Sequence, residues 1–183
     1  MTLPIYLYGH PVLRKEMQEI TPDYPDFRQL LENMYETMAN ADGVGIAAPQ
    51  VGLAERFFVI DLTAIENDPL CKDFKKAFIN PKLIETGGEA TVAEEGCLSV
   101  PDIHEKVPRP SRIRLQYLDE NFQPHDEIFE GFPARAIQHE YDHLEGIVFV
   151  DRIAGIRKQM IRSKLNKIMD GKAHCTYKTK RKQ

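Results

Sequence analysis

The chain has 183 residues, of which 42% are hydrophobic and 28% charged, as is typical of one globular domain with its own core. Its formal net charge of −4 is unlike the basic excess of most nucleic-acid-binding proteins. No apolar stretch approaches the length of a membrane-spanning helix, and no signal peptide is recognisable. We therefore expect a cytoplasmic protein with a single domain at residues 1–170 and a basic, flexible tail at 171–183.

The three cysteines, Cys71, Cys97 and Cys175, are an odd number, which fits a reducing compartment better than a disulfide-bonded protein. In such a compartment, a cysteine with a role is expected to be a metal ligand or a nucleophile.

The first predicted element is a helix from about residue 25 to 41, because apolar residues recur there at helical spacing. The segment that follows, residues 43–52, is rich in glycine and alanine. Such a backbone can be approached closely by another molecule, although an ordinary connection between a helix and a strand has the same composition.

Strand patterns occupy the middle of the chain. Residues 57–60 are apolar and β-branched or aromatic, and residues 112–118 alternate between polar and apolar side chains. A hairpin turn at 119–121 leads to a partner strand at 126–129. Two shorter strands flank a break at Asn80-Pro81, and residues 65–76 are predicted to form a polar surface loop.

Two helices are predicted in the last third of the chain, at about residues 133–144 and 156–169. The second has a one-sided apolar stripe that consists of Ile156, Met160, Ile161, Leu165, Ile168 and Met169. Hairpins and separate helices together predict an α+β fold. In this fold, antiparallel or mixed sheets pack around the first of these helices, and the second is a C-terminal helix.

The first of these helices contains the sequence His-Glu-Tyr-Asp-His, residues 139–143. Residues four apart lie on the same face of a helix, so His139 and His143 can reach one metal ion. Glu140 can meet a metal-bound water, as in the His-Glu-x-x-His pattern of metal-dependent hydrolases. The pattern also occurs by chance, but here its neighbours are apolar, where unpartnered polar side chains would be costly.

A hydrolytic metal needs three protein ligands and one open position. Downstream of His143 no candidate is convincing. Glu145 is too close along the helix, His174 lies in the basic tail, and nothing supports Asp151 or Asp170.

Cys97 is the better candidate for the third ligand, because it follows a glycine in a segment that could lie alongside the helix. A thiolate and two imidazoles suit zinc or ferrous iron. Two alternatives stay open: Cys97 as a small core residue, and a purely structural site completed by Cys71 or Cys175.

Three segments in this order, residues 43–50, 95–99 and 138–143, resemble the three motifs of the peptide deformylases. The resemblance implies hydrolysis of the formyl group from N-formylmethionine at the start of new bacterial polypeptides, which would be the protein's partners. It implies that Cys97, His139 and His143 bind the metal, which is ferrous iron in the family and can be replaced by zinc or nickel. Glu140 would act as general base and acid.

The resemblance also implies roles in binding the substrate. Gln50 and the backbone N–H of Leu98 would hold the developing oxyanion. Val44, Gly45 and Gly96 would pair with the substrate backbone, and Glu95 would also belong to the substrate-binding residues. The methionine side chain would fill a pocket formed by Val44, Phe132, Ala136 and the stem of Arg135. Family members often have an apolar residue near position 135, so the shape and polarity of this pocket are open.

Two other functions fit part of the sequence. One is a zinc peptidase, which would need a third ligand downstream of His143. The other is a ribosome- or RNA-binding module that uses the tail, where residues 171–183 include five basic residues and no acidic one. The C-terminal helix and tail could also contact the ribosome in a deformylase, but turnover of small peptides should then survive removal of the tail. No DNA or membrane partner is predicted.

Overall fold

A computed structural model describes residues 1–182, so residue 183 of the predicted tail lies outside the described residues. Three α-helices and seven strands are present in that range. In chain order they are β1 (Ile5–Tyr6), α1 (Phe27–Asn40), β2 (Gly45–Ala47), β3 (Phe57–Asp61), β4 (Lys75–Cys97), β5 (Val100–Leu118), β6 (Pro124–Glu130), α2 (Gly131–Leu144), α3 (Ile156–Met169) and β7 (Thr179–Lys180).

Strands β2 to β6 form one antiparallel sheet in the order β2-β3-β4-β5-β6. Its largest part is the long hairpin of β4 and β5, which reverses direction between Cys97 and Val100. Buried and exposed residues alternate along β5, as expected when one face of a strand covers a core. Strands β1 and β7 form a separate parallel pair.

Helix α2 packs against β2, β3 and β5 and is the central helix of the fold. Its inner residues Ala134 and Ile137 are fully buried in a cluster that also contains the stacked rings of Phe58 and Phe78. The burial of this face fixes which residues of α2 point towards the hairpin of β4 and β5. The predicted α+β class, with antiparallel strands around the helix that carries the His-Glu-x-x-His sequence, is therefore confirmed.

The predicted break at Asn80-Pro81 was wrong, because β4 continues through it with a shift of register. Asn80 adopts a left-handed φ of 48°, and its side chain bonds to both the N–H and the C=O of Ile20. The proline is thus accommodated at a bulge, where a strand tolerates a residue without an N–H.

Two local predictions need correction. The segment 65–76 is not a purely surface loop, since Cys71 and Phe74 are buried in the main cluster. The stripe on α3 is only partly buried: Ile161, Leu165 and Ile168 face the core, whereas Ile156, Met160 and Met169 are exposed. Helix α3 packs against the rest of the protein by one narrow face, and the three exposed residues of the stripe lie outside this face.

The tail lies against the body of the protein. The N–H groups of Ile5 and Leu7 donate to the carbonyls of Lys178 and Lys180, each at 2.8 Å. The predicted division into a domain at 1–170 and a flexible tail stays a prediction. No helix within residues 1–182 is long and apolar enough to cross a membrane.

Candidate metal centre

Cys97, His139 and His143 come together where the end of β4 meets α2. One ligand atom from each residue lies within 4.8 Å of those of the other two. The Sγ of Cys97 is 3.3 Å from Nε2 of His143, which is almost fully buried. The helix supplies the two imidazoles from one face, as their spacing predicts, and the hairpin of β4 and β5 supplies the thiol group.

The chemistry of this cluster suits a divalent metal. A thiolate and two imidazoles are a common donor set for zinc and ferrous iron. Burial and the nearby His139 lower the pKa of His143, which favours the neutral imidazole that binds metals. Burial also acts to lower the pKa of His139, but its bonds with Cys97 and Glu95 outweigh this effect and raise that pKa. Within residues 1–182, Glu140 Oε2 is one of three buried side-chain atoms without a hydrogen-bond partner. An unpartnered buried carboxylate oxygen is costly unless a further group is bound beside it.

Glu140 is placed beside the cluster by the same turn of α2. Burial raises the pKa of its carboxyl to about 7, although the charge of His139 acts in the opposite direction. A carboxyl with a pKa near neutrality can both accept and return a proton. Strand β2 passes so close to it that a Cβ atom on Gly45 would lie 2.5 Å from Glu140 Oε1. Any larger residue at position 45 would therefore collide with the Glu140 side chain.

Gln50 lies on the other side of the thiolate and is also buried. Its Oε1 accepts a hydrogen bond from the N–H of Ala47 at 2.8 Å, and this bond fixes the orientation of the amide. Nε2 consequently lies 3.3 Å from Cys97 Sγ and 3.2 Å from Ser99 Oγ. The amide donor thus faces the cluster.

A buried network of charged side chains supports His139. Glu95 on β4 accepts from Arg109 at 2.5 and 2.9 Å, and its Oε2 lies 2.9 Å from His139 Nδ1. Arg109 on β5 also donates to Asp142 on α2 at 2.9 Å. Burial tends to raise the pKa of Glu95, but its bonds with Arg109 and His139 outweigh this effect and lower the pKa to about 2. An ionised carboxylate at Nδ1 fixes the ring of His139 and leaves Nε2 for the metal.

Sequence reasoning missed Arg109 and the pairing role of Asp142. The burial of Arg109 could have been predicted from the sequence. It lies an even number of residues from Ile103, Val107 and Ile113 on β5, so it is on the same face of the strand as these buried residues. A charged residue at an inward position of a strand needs a buried partner of opposite charge.

The guanidinium of Arg135 is held away from the apolar part of the site. It donates to Glu95 Oε1 at 2.8 Å and to the backbone oxygens of Val107 and Thr91 at 2.9 and 2.7 Å. Its charge is therefore compensated between β4 and β5, and only its stem remains to contact a bound side chain. The polar group of Arg135 is thus bonded within the protein and does not point into the pocket proposed for the methionine side chain.

A cavity of about 450 Å³ opens over the cluster. It is bordered by all the residues that the sequence analysis assigned to substrate binding, together with Gln50, Cys97, Leu98, His139 and Glu140. Val44 and Phe132, each 37% exposed, leave apolar surface at its mouth. Residues 174–177 of the tail also line the cavity, and sequence reasoning did not place them there.

Comparison with known proteins agrees with this geometry. Residues 2–159 match the model of the polypeptide deformylase family. Peptide deformylase from Flavobacterium johnsoniae is 48% identical, with 98% of this chain and 96% of that protein covered. The peptide deformylase from Christiangramia forsetii is 47% identical, with 97% of this chain and 95% of that protein covered.

Solved structures give the same result. A peptide deformylase from Thermotoga maritima superposes with a TM-score of 0.75 at 41% identity, over 85% of this chain and 99% of that one. One from Synechococcus elongatus, in complex with actinonin, superposes with a TM-score of 0.78 at 36% identity, over 98% of this chain and 92% of that one.

The buried network leads to a prediction about stability. Arg109→Met leaves Glu95 and Asp142 with one cationic partner fewer inside the protein. Because breaking a buried ion pair typically costs about 3–5 kcal/mol, we expect the free energy of unfolding to fall by that amount in urea titrations with the same metal bound.

The matched control is Arg114→Met, which removes an exposed guanidinium that is bidentate on Asp126. Exposed pairs contribute little, so this variant should stay close to the wild type. Equal losses in the two variants would contradict the assigned importance of the buried network.

Proposed function

Because the chain belongs to the polypeptide deformylase family, whose members are metal-dependent hydrolases, we propose that it removes the formyl group from N-formylmethionine at the start of new polypeptides and releases formate. The observation that carries this proposal is the cluster of Cys97, His139 and His143, with Glu140 beside it at a cavity. Relatives that match nearly the whole chain are deformylases, which favours this function over the peptidase and RNA-binding alternatives.

Cys97, His139 and His143 would hold the metal, ferrous iron in the cell, with zinc or nickel able to replace it. When bound, the metal lowers the pKa of a water molecule towards neutrality and so makes a hydroxide nucleophile available. Glu95 supports this site through His139, because both of its carboxylate oxygens are already bonded to protein side chains.

Glu140 would move the proton. Its Oε2 atom accepts a proton from the attacking water and then gives it to the leaving amine nitrogen of methionine. The Oε2 of Glu140 has no hydrogen-bond partner within residues 1–182, so it is available for both steps. The carbonyl oxygen of the formyl group becomes negative during the attack. The Nε2 of Gln50 and the N–H of Leu98 would donate to it, and such a donor typically contributes about 100-fold or more to the rate.

The substrate backbone would pair with β2, which is an edge strand of the sheet. Val44 and Gly45 lie at this edge, and Gly96 lies across the cavity on β4. The methionine side chain would occupy the apolar surface of Val44, Phe132, Ala136 and the stem of Arg135. A formyl carbon carries only hydrogen, so a closely fitting site excludes larger acyl groups by size.

The partners would be nascent formylmethionyl peptides, which places the protein in the cytoplasm of a bacterium. A contact with the ribosome is supported by helix α3, which has five basic residues and no acidic one. Among residues 1–182, Lys158, Arg162, Lys164 and Lys167 are exposed and make no ion pair. A helix with these exposed basic residues can bind the phosphates of ribosomal RNA.

The proton-transfer role predicts the effect of Glu140→Gln. We expect this variant to retain about one metal per chain, as the three-ligand site requires, and to lose about 100- to 10,000-fold in turnover. The measurement is amine release from formyl-Met-Ala-Ser by anaerobically purified protein, with metal content determined on the same samples. Glu145→Gln is the control, because Glu145 is on the exposed side and pairs with Arg56. A fully metallated but inert wild type would refute the proposed function, and an active Glu140→Gln would refute only the role of Glu140.

The expected oxygen sensitivity of an iron-loaded site can be tested by exposure to air. A ferrous ion bound by a thiolate is open to oxidation, so we expect the iron-loaded protein to lose activity in air while the zinc-loaded protein keeps its own. Turnover and metal content are followed over time with and without oxygen. Full activity of the iron-bound protein after exposure would count against the proposed sensitivity.

The proposed ribosome contact can be tested by co-sedimentation with ribosomes. We expect Arg162→Glu combined with Lys164→Glu to weaken binding, and raised salt to weaken binding of the wild type, because the attraction is electrostatic. A double variant with the same charge change at Lys72 and Lys82, two exposed lysines outside α3, is the control. Equal binding by both double variants would exclude α3 as the contact.

A further inference from the structure

The C-terminal tail is built into the wall of the cavity. Residues 174–177 line it, and the chain on either side is anchored. Ala173 and Cys175 pack against the cluster that contains the inner face of α3. Directly after the wall, Lys178 and Lys180 accept the backbone hydrogen bonds from the segment that contains β1. The wall is therefore held in a defined position relative to the metal centre.

The turn between β4 and β5 carries two groups that the proposed reaction needs. It begins at the metal ligand Cys97 and continues through Leu98, whose N–H is a proposed donor to the oxyanion. Leu98 is only partly buried, whereas Ser99 and Val100 after it are almost fully buried.

Three hydrogen bonds from distant parts of the chain reach Leu98 and Ser99 of this turn, and Gln50 also bonds to the Cys97 thiolate. The N–H of Tyr8 donates to the carbonyl of Ser99 at 2.8 Å, and Nε2 of Gln50 donates to the hydroxyl of Ser99 at 3.2 Å. The hydroxyl of Tyr177 donates to the carbonyl of Leu98 at 2.7 Å. This hydrogen bond is made to the same residue whose N–H is the proposed donor to the oxyanion.

We propose that Tyr177 is a positioning residue of the active site, whose hydroxyl fixes the turn that places the Cys97 thiolate and the Leu98 N–H. This inference rests on the proposed function. Tyr177 lies beyond residues 2–159, which the family model matches, so the inference does not follow from family membership. It revises the expectation that turnover of small peptides is independent of the tail.

The test compares Tyr177→Phe with Tyr24→Phe in the full-length, metal-loaded protein. Both changes keep the aromatic ring and remove one hydroxyl bond from a partly buried tyrosine. Tyr24 bonds to Glu55 at 3.1 Å and does not line the cavity. The readouts are kcat and KM on formyl-Met-Ala-Ser, the melting temperature, and hydrogen exchange of the peptide that covers residues 96–101.

For Tyr177→Phe we expect kcat to fall about five-fold, which corresponds to the loss of one ordinary hydrogen bond in the transition state. KM should be unchanged because the ring that borders the cavity remains. Exchange of residues 96–101 should become faster, since the turn opens locally more often. Tyr24→Phe should alter neither kcat nor this exchange.

Wild-type kcat and exchange in Tyr177→Phe would overturn the proposal. Equal falls in kcat and melting temperature for both variants would also overturn it, because they would show a general effect on stability. An inert wild type would refute the proposed function alone. In that case faster exchange confined to Tyr177→Phe would still support the role of the Tyr177 hydroxyl in holding the turn. Unchanged exchange would exclude this role.

Discussion

The arrangement of the site depends on one buried group of charges. Arg109 on β5 bonds at once to Glu95 on β4 and to Asp142 on α2, and all three residues are almost completely buried. None of these charges can be left alone inside the protein without a large penalty, so the hairpin and the helix must meet in one relative position. The same carboxylate of Glu95 orients His139, so the interaction that joins the elements also sets the direction of a proposed metal ligand. Close packing of Phe58, Phe78 and Ile137 stabilises the interface, but apolar contacts alone would specify its geometry less strictly.

Much of the site could be predicted from local spacing. His139 and His143 share a face because of the helical repeat, and Glu140 follows from its place next to His139. The contact between Cys97 and this pair is different, because it depends on where a long hairpin ends relative to a helix about forty residues later in the chain. In advance it was supported by the glycine before Cys97, by the lack of a convincing ligand downstream of His143 and by the resemblance to a family, since no short-range rule links those segments.

The features that escaped prediction are those in which a tertiary contact overrides a local pattern. Asn80 and Pro81 together indicate a break, yet two hydrogen bonds between the Asn80 side chain and Ile20 let the strand continue. Ile156 and Met160 fit an amphipathic stripe, but they lie beyond the face of α3 that the body covers. Arg109 would have been recognisable by its parity along β5, whereas its partners could be identified only from the fold.

The parallel pair of β1 and β7 has a consequence for the order of folding. It joins Ile5 to Thr179, so almost the whole described chain forms the loop that this pairing closes. The entropy lost on closing a loop grows with its length, and contacts between such distant residues are slow to form in a disordered chain. The central sheet and α2 must therefore assemble first and bring the two strands near each other. Closure of this pair then completes the part of the cavity wall that residues 174–177 form.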